Sequence, residues 1–223
     1  MLFDLDGTLI DSVYQHVLAW REALAGVGID LSVWRIHRRI GMSGGLFVNA
    51  LLRETGRVLG PEQIRDLQEA HVRHYLEQLA RVKPLPGARR LLRRLTDLGV
   101  PWAIATSGNR ASALAGLDVL GLAPEVVVTR EEVEHAKPDP DLFLAAAARL
   151  GAEISESVVI GDSVWDLLAA QRARALGVGL LSGGYGREEL ERAGAYRVYE
   201  DPADLERHLD ELGLRADLFL PGW

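Results

Sequence analysis

From Ala88 onward, short apolar runs alternate with helical stretches of about ten residues, and most of the runs end at glycine or a polar residue. A helix over Ala88 to Leu98 is closed by Gly99, and a strand over Pro101 to Ala105 ends at Thr106-Ser107-Gly108-Asn109. A helix to about Leu120 precedes the strand Val126 to Val128, and the loop Lys137-Pro138-Asp139-Pro140 precedes a helix from Asp141 to Leu150. The strand Val158 to Ile160 leads into Gly161-Asp162-Ser163 and a helix from Val164 to about Ala175. Leu176 to Leu181, Arg187 to Ala193, Tyr196 to Tyr199 and Ala203 to Leu212 complete the alternation. Continuous apolar strands joined by helices predict βαβ units, hence an α/β fold with a parallel sheet covered on both faces. Such sheets bind ligands outside the carboxyl ends of their strands, where the polar clusters fall.

The first strand is short, Met1-Leu2-Phe3, and runs directly into Asp4-Leu5-Asp6-Gly7-Thr8. A start upstream of Met1 is expected, because a buried strand usually has about 5 to 6 residues. Side chains alternate along an extended chain, so Asp4 and Asp6 share a face if the strand continues, and Gly7 permits the turn that ends it. Two carboxylates held that close need a shared proton or a cation. Mg²⁺, held by one or two carboxylates with phosphate oxygens and water, suits them best. The competing reading is a strand ending in an Asp-Gly turn with solvated acids. An EF-hand loop is disfavoured, because Thr8 stands where a third ligand is needed and the closing Glu is missing.

Between Val13 and Arg81 the periodicity is helical. A first helix carries Tyr14, Val17, Leu18, Leu24 and Val27 and ends near Gly26 or Gly28; a second spans Val33 to Ile40. Ser43 precedes a third, terminated by Gly56, and Pro61 opens a long fourth to about Arg81. Lys83-Pro84-Leu85-Pro86-Gly87 then breaks the pattern. His71 and His74 read as a solvated helix face, since no third ligand joins them. Gly177-Val178-Gly179 lacks the third glycine and the context of a dinucleotide loop.

Four separated stretches bring complementary groups to strand ends: Asp4 with Asp6, Thr106 to Asn109, Lys137, and Asp162 with Asp166. A carboxylate such as Asp4 attacks phosphorus to give an aspartyl phosphate. Asp6 protonates the leaving alkoxide and deprotonates the water that follows. Thr106, Ser107, Gly108 and Asn109 bind phosphoryl oxygens, and Lys137 offsets their charge. Asp162 adds a metal ligand, and Asp166 holds Lys137 or a metal-bound water. Each group has a plainer reading, Thr106 to Asn109 as a helix cap and Lys137 as a surface lysine, but their conjunction at successive strand ends points to phosphate chemistry.

At 223 residues, one full core with a smaller inserted unit is expected. A net charge of −7 disfavours nucleic-acid and anionic-membrane partners, which are bound through Lys and Arg. The absence of cysteine suits a reducing compartment, and with no signal-peptide pattern or 18-residue apolar run the expectation is a cytoplasmic protein. The expected partner is a small phosphorylated metabolite, and the expected state a monomer or homodimer.

The chain resembles the haloacid dehalogenase superfamily of phosphohydrolases over nearly its whole length. Phe3-Asp4-Leu5-Asp6-Gly7-Thr8-Leu9 is similar to its first motif, Ala105-Thr106 to its second, Lys137-Pro138 to its third, and Gly161-Asp162-Ser163-Val164-Trp165-Asp166 to its fourth. The resemblance implies a Rossmann-like core over residues 1–12 and 84–223 with an inserted all-helical cap over 13–83. It also implies Asp4 as nucleophile, Asp6 as acid and base, and Mg²⁺ bound by Asp4, the carbonyl of Asp6 and Asp162. The family's dehalogenases lack the second acid, so Asp6 favours phosphoryl transfer. Phosphonoacetaldehyde hydrolases carry a lysine after a Gly-Met pair, whereas Gly41-Met42 is followed here by Ser43. β-Phosphoglucomutases carry a cap arginine where this chain has Gly44, so a phosphomutase is the second enzymatic reading and a non-catalytic phosphometabolite-binding protein the third. Substrate recognition is expected from Arg38, Arg39, Ser43 and Gly44. Relatives commonly end a helix with glycine where Arg174 stands, and Lys137→Ala is expected to lower turnover more than stability.

Overall fold

In the computed structural model, which describes residues 1–214, six parallel strands form one sheet in the order β3-β2-β1-β4-β5-β6. These are β1 (Leu2–Phe3), β2 (Ala103–Ala105), β3 (Val127–Val128), β4 (Val158–Gly161), β5 (Leu176–Leu180) and β6 (Ala195–Tyr199). Central β1 pairs with β2 on one side (Phe3 with Ile104) and β4 on the other (Phe3 with Ile160). The chain therefore winds outward twice from the middle. The crevice where its direction reverses lies between the ends of β1 and β4, which deliver Asp4 and Asp162.

Helices cover both faces, as the alternation predicts. One face packs Phe3, Ile104, Ile160 and Val178 against α5 (Ala88–Asp97), α6 (Arg110–Leu120) and α10 (Pro202–Arg207). The other packs Leu2, Ala103 and Val159 against α7 (Asp141–Leu150) and α8 (Val164–Ala173). A further cluster joins Leu167 and Val198 to Leu190 of α9 (Arg187–Arg192). Arg174 ends α8 with φ 61° and ψ 30°, the left-handed conformation that glycine adopts at lower cost.

Residues 13–81 form helices with a core of their own: α1 (Val13–Gly26), α2 (Val33–His37), α3 (Gly44–Thr55), and α4 (Pro61–Gln78) with a 3-10 turn at Leu79–Arg81. Trp20, Ile36, Phe47, Leu51 and Leu67 are buried together there. Helix α2 stops at His37, short of the expected Ile40, because the chain turns through Gly41 at φ 96°. A Cβ at Gly41 would lie 2.7 Å from Ser163 Oγ, so backbone of this block meets the start of α8. The same junction holds His37 Nε2 2.8 Å from the carbonyl oxygen of Gly183. No helix among the described residues is long and apolar enough to cross a membrane.

Candidate active site

Strand β1 ends at Phe3, and Asp4 and Asp6 beyond it line the same cavity. Asp4 stays at the sheet crevice, 4% exposed, and Asp6, just before the tight turn through Gly7 (φ 84°), reaches the start of α1. There Ser12 Oγ donates to Asp6 Oδ1 at 2.6 Å, and His16 Nε2 lies 3.1 Å from the same oxygen. The acids brought together are Asp4, Asp162 and Asp166, whose carboxylate oxygens lie within 4.8 Å of one another. Asp6 is not part of that cluster, though it lies near enough for its charge to repel that of Asp4.

Lys137 is fully buried, not a surface residue, and lies between two of these acids. Its ammonium pairs with Asp4 and sits 2.7 Å from Asp166 Oδ1. Ser163 donates to Asp166 Oδ2 from its hydroxyl at 2.6 Å and its amide at 3.1 Å, closing the first turn of α8. Thr8 Oγ1 donates to Asp162 Oδ1 at 2.9 Å. Backbone closes around the cluster: a Cβ at Gly183 would sit 1.7 Å from Asp162 Oδ2, and one at Gly7 2.5 Å from the same atom.

Burial sets the electrostatics. It pushes Asp4 up to about 7 against the pull of Lys137, with Asp166 and Asp6 adding repulsion. Asp162 is raised well above the carboxylate range by burial and then by Asp166 and Asp4. Burial alone would lower Lys137, but Asp166 and Asp4 outweigh it and hold the ammonium protonated. Asp6 is also desolvated, yet the charge and hydrogen bond of His16, with the bond from Ser12, leave it below its ordinary value.

Asp4, Asp6 and Asp162 line a cavity of about 670 Å³, together with Thr106, Ser107, Gly108 and Asn109. Thr106 Oγ1 accepts from the amide of Gly108 at 3.0 Å, and Asn109 Oδ1 caps α6 by accepting from Ser112 N at 2.9 Å. Those groups are thus partly occupied. Ser107 Oγ is buried and has no hydrogen-bond partner among the described residues, so it is the free hydroxyl of the loop.

The insertion supplies the other wall. Arg39 and Gly44 line the cavity, but Arg38 does not: its guanidinium pairs with Glu189 and lies 4.4 Å from the Tyr185 ring centre. Tyr185 also donates to the carbonyl oxygen of Arg38 at 2.9 Å, so that residue ties the insertion to the sheet domain instead of facing substrate. Ser43 is likewise removed from the lining, buried as the cap of α3, where its Oγ accepts from Leu46 N at 3.4 Å. His71 does not lie on a solvated face. It lines the cavity, stacks on Trp20 at 4.0 Å, and has Nε2 3.1 Å from His16 Nδ1. Burial, then the neighbouring His16 and His74, hold His71 well below the usual imidazole value. The continuous bonding from Asp6 through His16 to His71, and the cavity-lining Arg65 and Arg73 of α4, were not anticipated. The sequence signal for His16 was its helical spacing from the acidic turn, which placed it one turn into α1.

A doubly wound sheet with a buried lysine among clustered buried acids at its switch point fits the site of a phosphoryl-handling hydrolase. The comparisons agree: the haloacid dehalogenase-like hydrolase family matches residues 1–174, and the chain belongs to that family. It is 32% identical over 209 residues to a phosphoglycolate phosphatase of Caulobacter vibrioides, over 92% of this chain and 88% of that one. It is 35% identical over 175 residues to hexitol phosphatase A of Escherichia coli, over 77% of this chain and 78% of that one. A crystal structure of a hydrolase from Pseudomonas syringae matches with a TM-score of 0.92 and 56% identity, over 94% of this chain and 97% of that one. The protein is an enzyme of the phosphomonoesterase type.

Proposed function

We propose that the chain is a Mg²⁺-dependent phosphatase that hydrolyses a small phosphomonoester through an aspartyl phosphate at Asp4. In this reading residues 1–12 and 84–223 are the catalytic core and residues 13–83 a cap over it. The observation that carries the reading is the buried Lys137 between Asp4 and Asp166, with Asp4 itself lining the cavity. The donor set suits the ion, because three buried carboxylates within 4.8 Å of one another are hard oxygen ligands whose charge Lys137 offsets only in part. Asp4, Asp162 and the carbonyl of Asp6 would hold it, and when bound it supplies positive charge to the phosphoryl oxygens.

Asp4 attacks phosphorus, and the bond to the alcohol oxygen breaks as the new P–O bond forms. Binding of the phosphoryl anion beside Asp6 raises its affinity for a proton, which it gives to the departing alkoxide; it then takes one from the water that hydrolyses the phosphoenzyme. His16 fixes the Asp6 carboxylate from one side and Ser12 from the other. The Ser107 hydroxyl and Lys137 meet the charge on the transferring group. Substrates of the phosphoglycolate and sugar-phosphate kind are supported by what the two curated relatives are named for.

Hydrolysis of p-nitrophenyl phosphate, measured with Mg²⁺ and with a chelator, tests the reaction, and Asp4→Asn tests the covalent step. Activity that survives the chelator would remove the metal from the reading. Substantial activity in purified Asp4→Asn would remove the aspartyl phosphate.

A further inference from the structure

The cavity is far larger than the chemistry at Asp4 requires. Its volume of about 670 Å³ falls in the range that drug-sized ligands fill, roughly 300–1,000 Å³, whereas a phosphoryl group with a two-carbon acid would leave most of it to water. Part of the lining is apolar, contributed by Ile40, Met42, Phe47, Val72 and Leu76. Polar groups return at the lining part of α4, as Arg65, Gln68, Glu69 and Arg73, none of which makes a side-chain hydrogen bond or ion pair to another described residue.

The space has a specific origin. Gly44 opens α3, where no turn demands glycine, since its φ lies outside the left-handed region. A Cβ built there would lie 3.7 Å from both Gln68 Nε2 and Trp20 Cζ2, ordinary contact with two residues of the same cavity. A side chain at position 44 is therefore sterically admissible, and extending it further would fill the cavity. Neighbouring Gly45 is equally open, its nearest contact being Gln68 Nε2 at 4.0 Å. The backbone has no use for the missing side chain, which leaves the vacant volume as its physical consequence.

We propose that the alcohol half of the substrate is a ring-sized body that lays its C–H face on the apolar wall and turns its polar edge to Gln68, Arg65 and Arg73, and that Gly44 is the specificity-determining residue that makes room for it. The inference rests on the phosphatase reading of this same site. It disfavours a two-carbon phosphorylated acid as the preferred substrate, because such a molecule fills only a small part of the cavity of about 670 Å³ and leaves its apolar lining to water. Productive orientation of a larger alcohol uses the wall as a second point of contact, and hydrophobic contacts of one methylene already change selectivity by roughly tenfold or more.

Three primary alkyl phosphates test this with Mg²⁺ and the full chain: cyclohexylmethyl phosphate, a ring without stereochemistry to match, sorbitol 6-phosphate, and phosphoglycolate. The expected order of kcat/KM puts the ring compound at least about tenfold above phosphoglycolate, with sorbitol 6-phosphate between them. Gly44→Leu should penalise the ring compound at least about tenfold more heavily than phosphoglycolate, chiefly through KM, because leucine occupies the volume the ring needs. Comparing each substrate with itself across the two proteins cancels differences in leaving group. Leucine is a better helix former than glycine, so thermal unfolding of the variant is expected to match or exceed that of the parent. Gly44→Ala, which adds only the Cβ, should fall between the two proteins. Phosphoglycolate as the best of the three substrates, or an equal loss on all three in a folded Gly44→Leu, would overturn the inference and leave the phosphatase reading standing. Failure to hydrolyse any phosphomonoester, p-nitrophenyl phosphate included, would overturn both.

Discussion

Replacing Lys137 with methionine keeps much of the side-chain volume and deletes the charge, and the structure assigns it a larger stability cost than the sequence suggested. The ammonium is wholly buried, pairs with Asp4 and lies 2.7 Å from Asp166, and neither acid's side chain is more than 5% exposed. At an effective dielectric of about 20, one such attraction at 2.7 Å is worth about 6 kcal/mol before desolvation is counted. Burying the ammonium cancels part of this. The variant, however, leaves the acids buried without regaining hydration, and breaking a buried pair in this way costs about 3–5 kcal/mol. For a chain of this size the melting temperature should fall by roughly 10 °C. Circular dichroism melts of the two proteins at pH 7.5, in a chelator and again in Mg²⁺, measure it. The deficit should be largest in the chelator and should shrink in Mg²⁺, because a cation among the acids replaces part of the lost charge. Turnover should fall by about two orders of magnitude or more, as when a group that stabilises transition-state charge is removed. A variant that melts within about 2 °C of the parent in the chelator would refute the reasoning, since the acids would then be compensated by something other than Lys137.

Asp162→Ala should raise the Mg²⁺ concentration needed for half-maximal activity by about tenfold or more, read from metal titrations of p-nitrophenyl phosphate hydrolysis, because one of three clustered carboxylates is lost. Asp6→Asn keeps the nucleophile but cannot move a proton, so rapid-quench analysis should find phosphoenzyme accumulating with p-nitrophenyl phosphate, whose leaving group needs little protonation. Arg174→Gly relieves a left-handed backbone and should stabilise by about 1 kcal/mol, raising the melting temperature by roughly 2–4 °C. Without metal, urea-unfolding stability should decline as pH rises from about 4 through about 7. Asp4 binds its proton more tightly folded than unfolded, with a folded value of about 7, so that contribution is full at low pH and lost on ionisation. Asp162 shifts in the same direction, while Asp6, shifted the other way, acts only below about pH 4 and leaves this window unchanged. Mg²⁺, which favours the ionised acids, should flatten or invert the slope.

Much of this architecture follows from local chemistry that a sequence displays. Alternating apolar runs marked the strands, while Ser43, Pro61, Asn109 and Ser163 marked helix starts because each has a role only at a first turn. The strand-end acids could be anticipated because a parallel sheet presents all its strand ends on one side. What escaped was determined by contacts distant in sequence. Whether Arg38 or Arg39 faces the cavity depends on how far α2 continues, and that is fixed by Gly41 packing against Ser163. His71 looks solvated until α4 docks on α1 and lays it against Trp20. Spacing brought Asp6 near Asp4, but not the groups that hold it, His16 and Ser12, which both reach its Oδ1.

The tight backbone around Asp162 contrasts with the slack around position 44, and the contrast bears on how enzymes of this design acquire new substrates. At Gly183 and Gly7 a single methyl group would collide with Asp162, at 1.7 and 2.5 Å, so inherited variation there is lost with the activity. At Gly44 and Gly45 the nearest atoms stand 3.7 and 4.0 Å away, so each can be replaced one nucleotide change at a time in a protein that still folds. A population carrying this gene can therefore explore new alcohols through viable intermediates, with the phosphoryl-transfer machinery passed on unaltered. Divergence among descendants is expected to accumulate at the first turn of α3 and along the cavity side of α4, and to be nearly absent within one methyl group of Asp162.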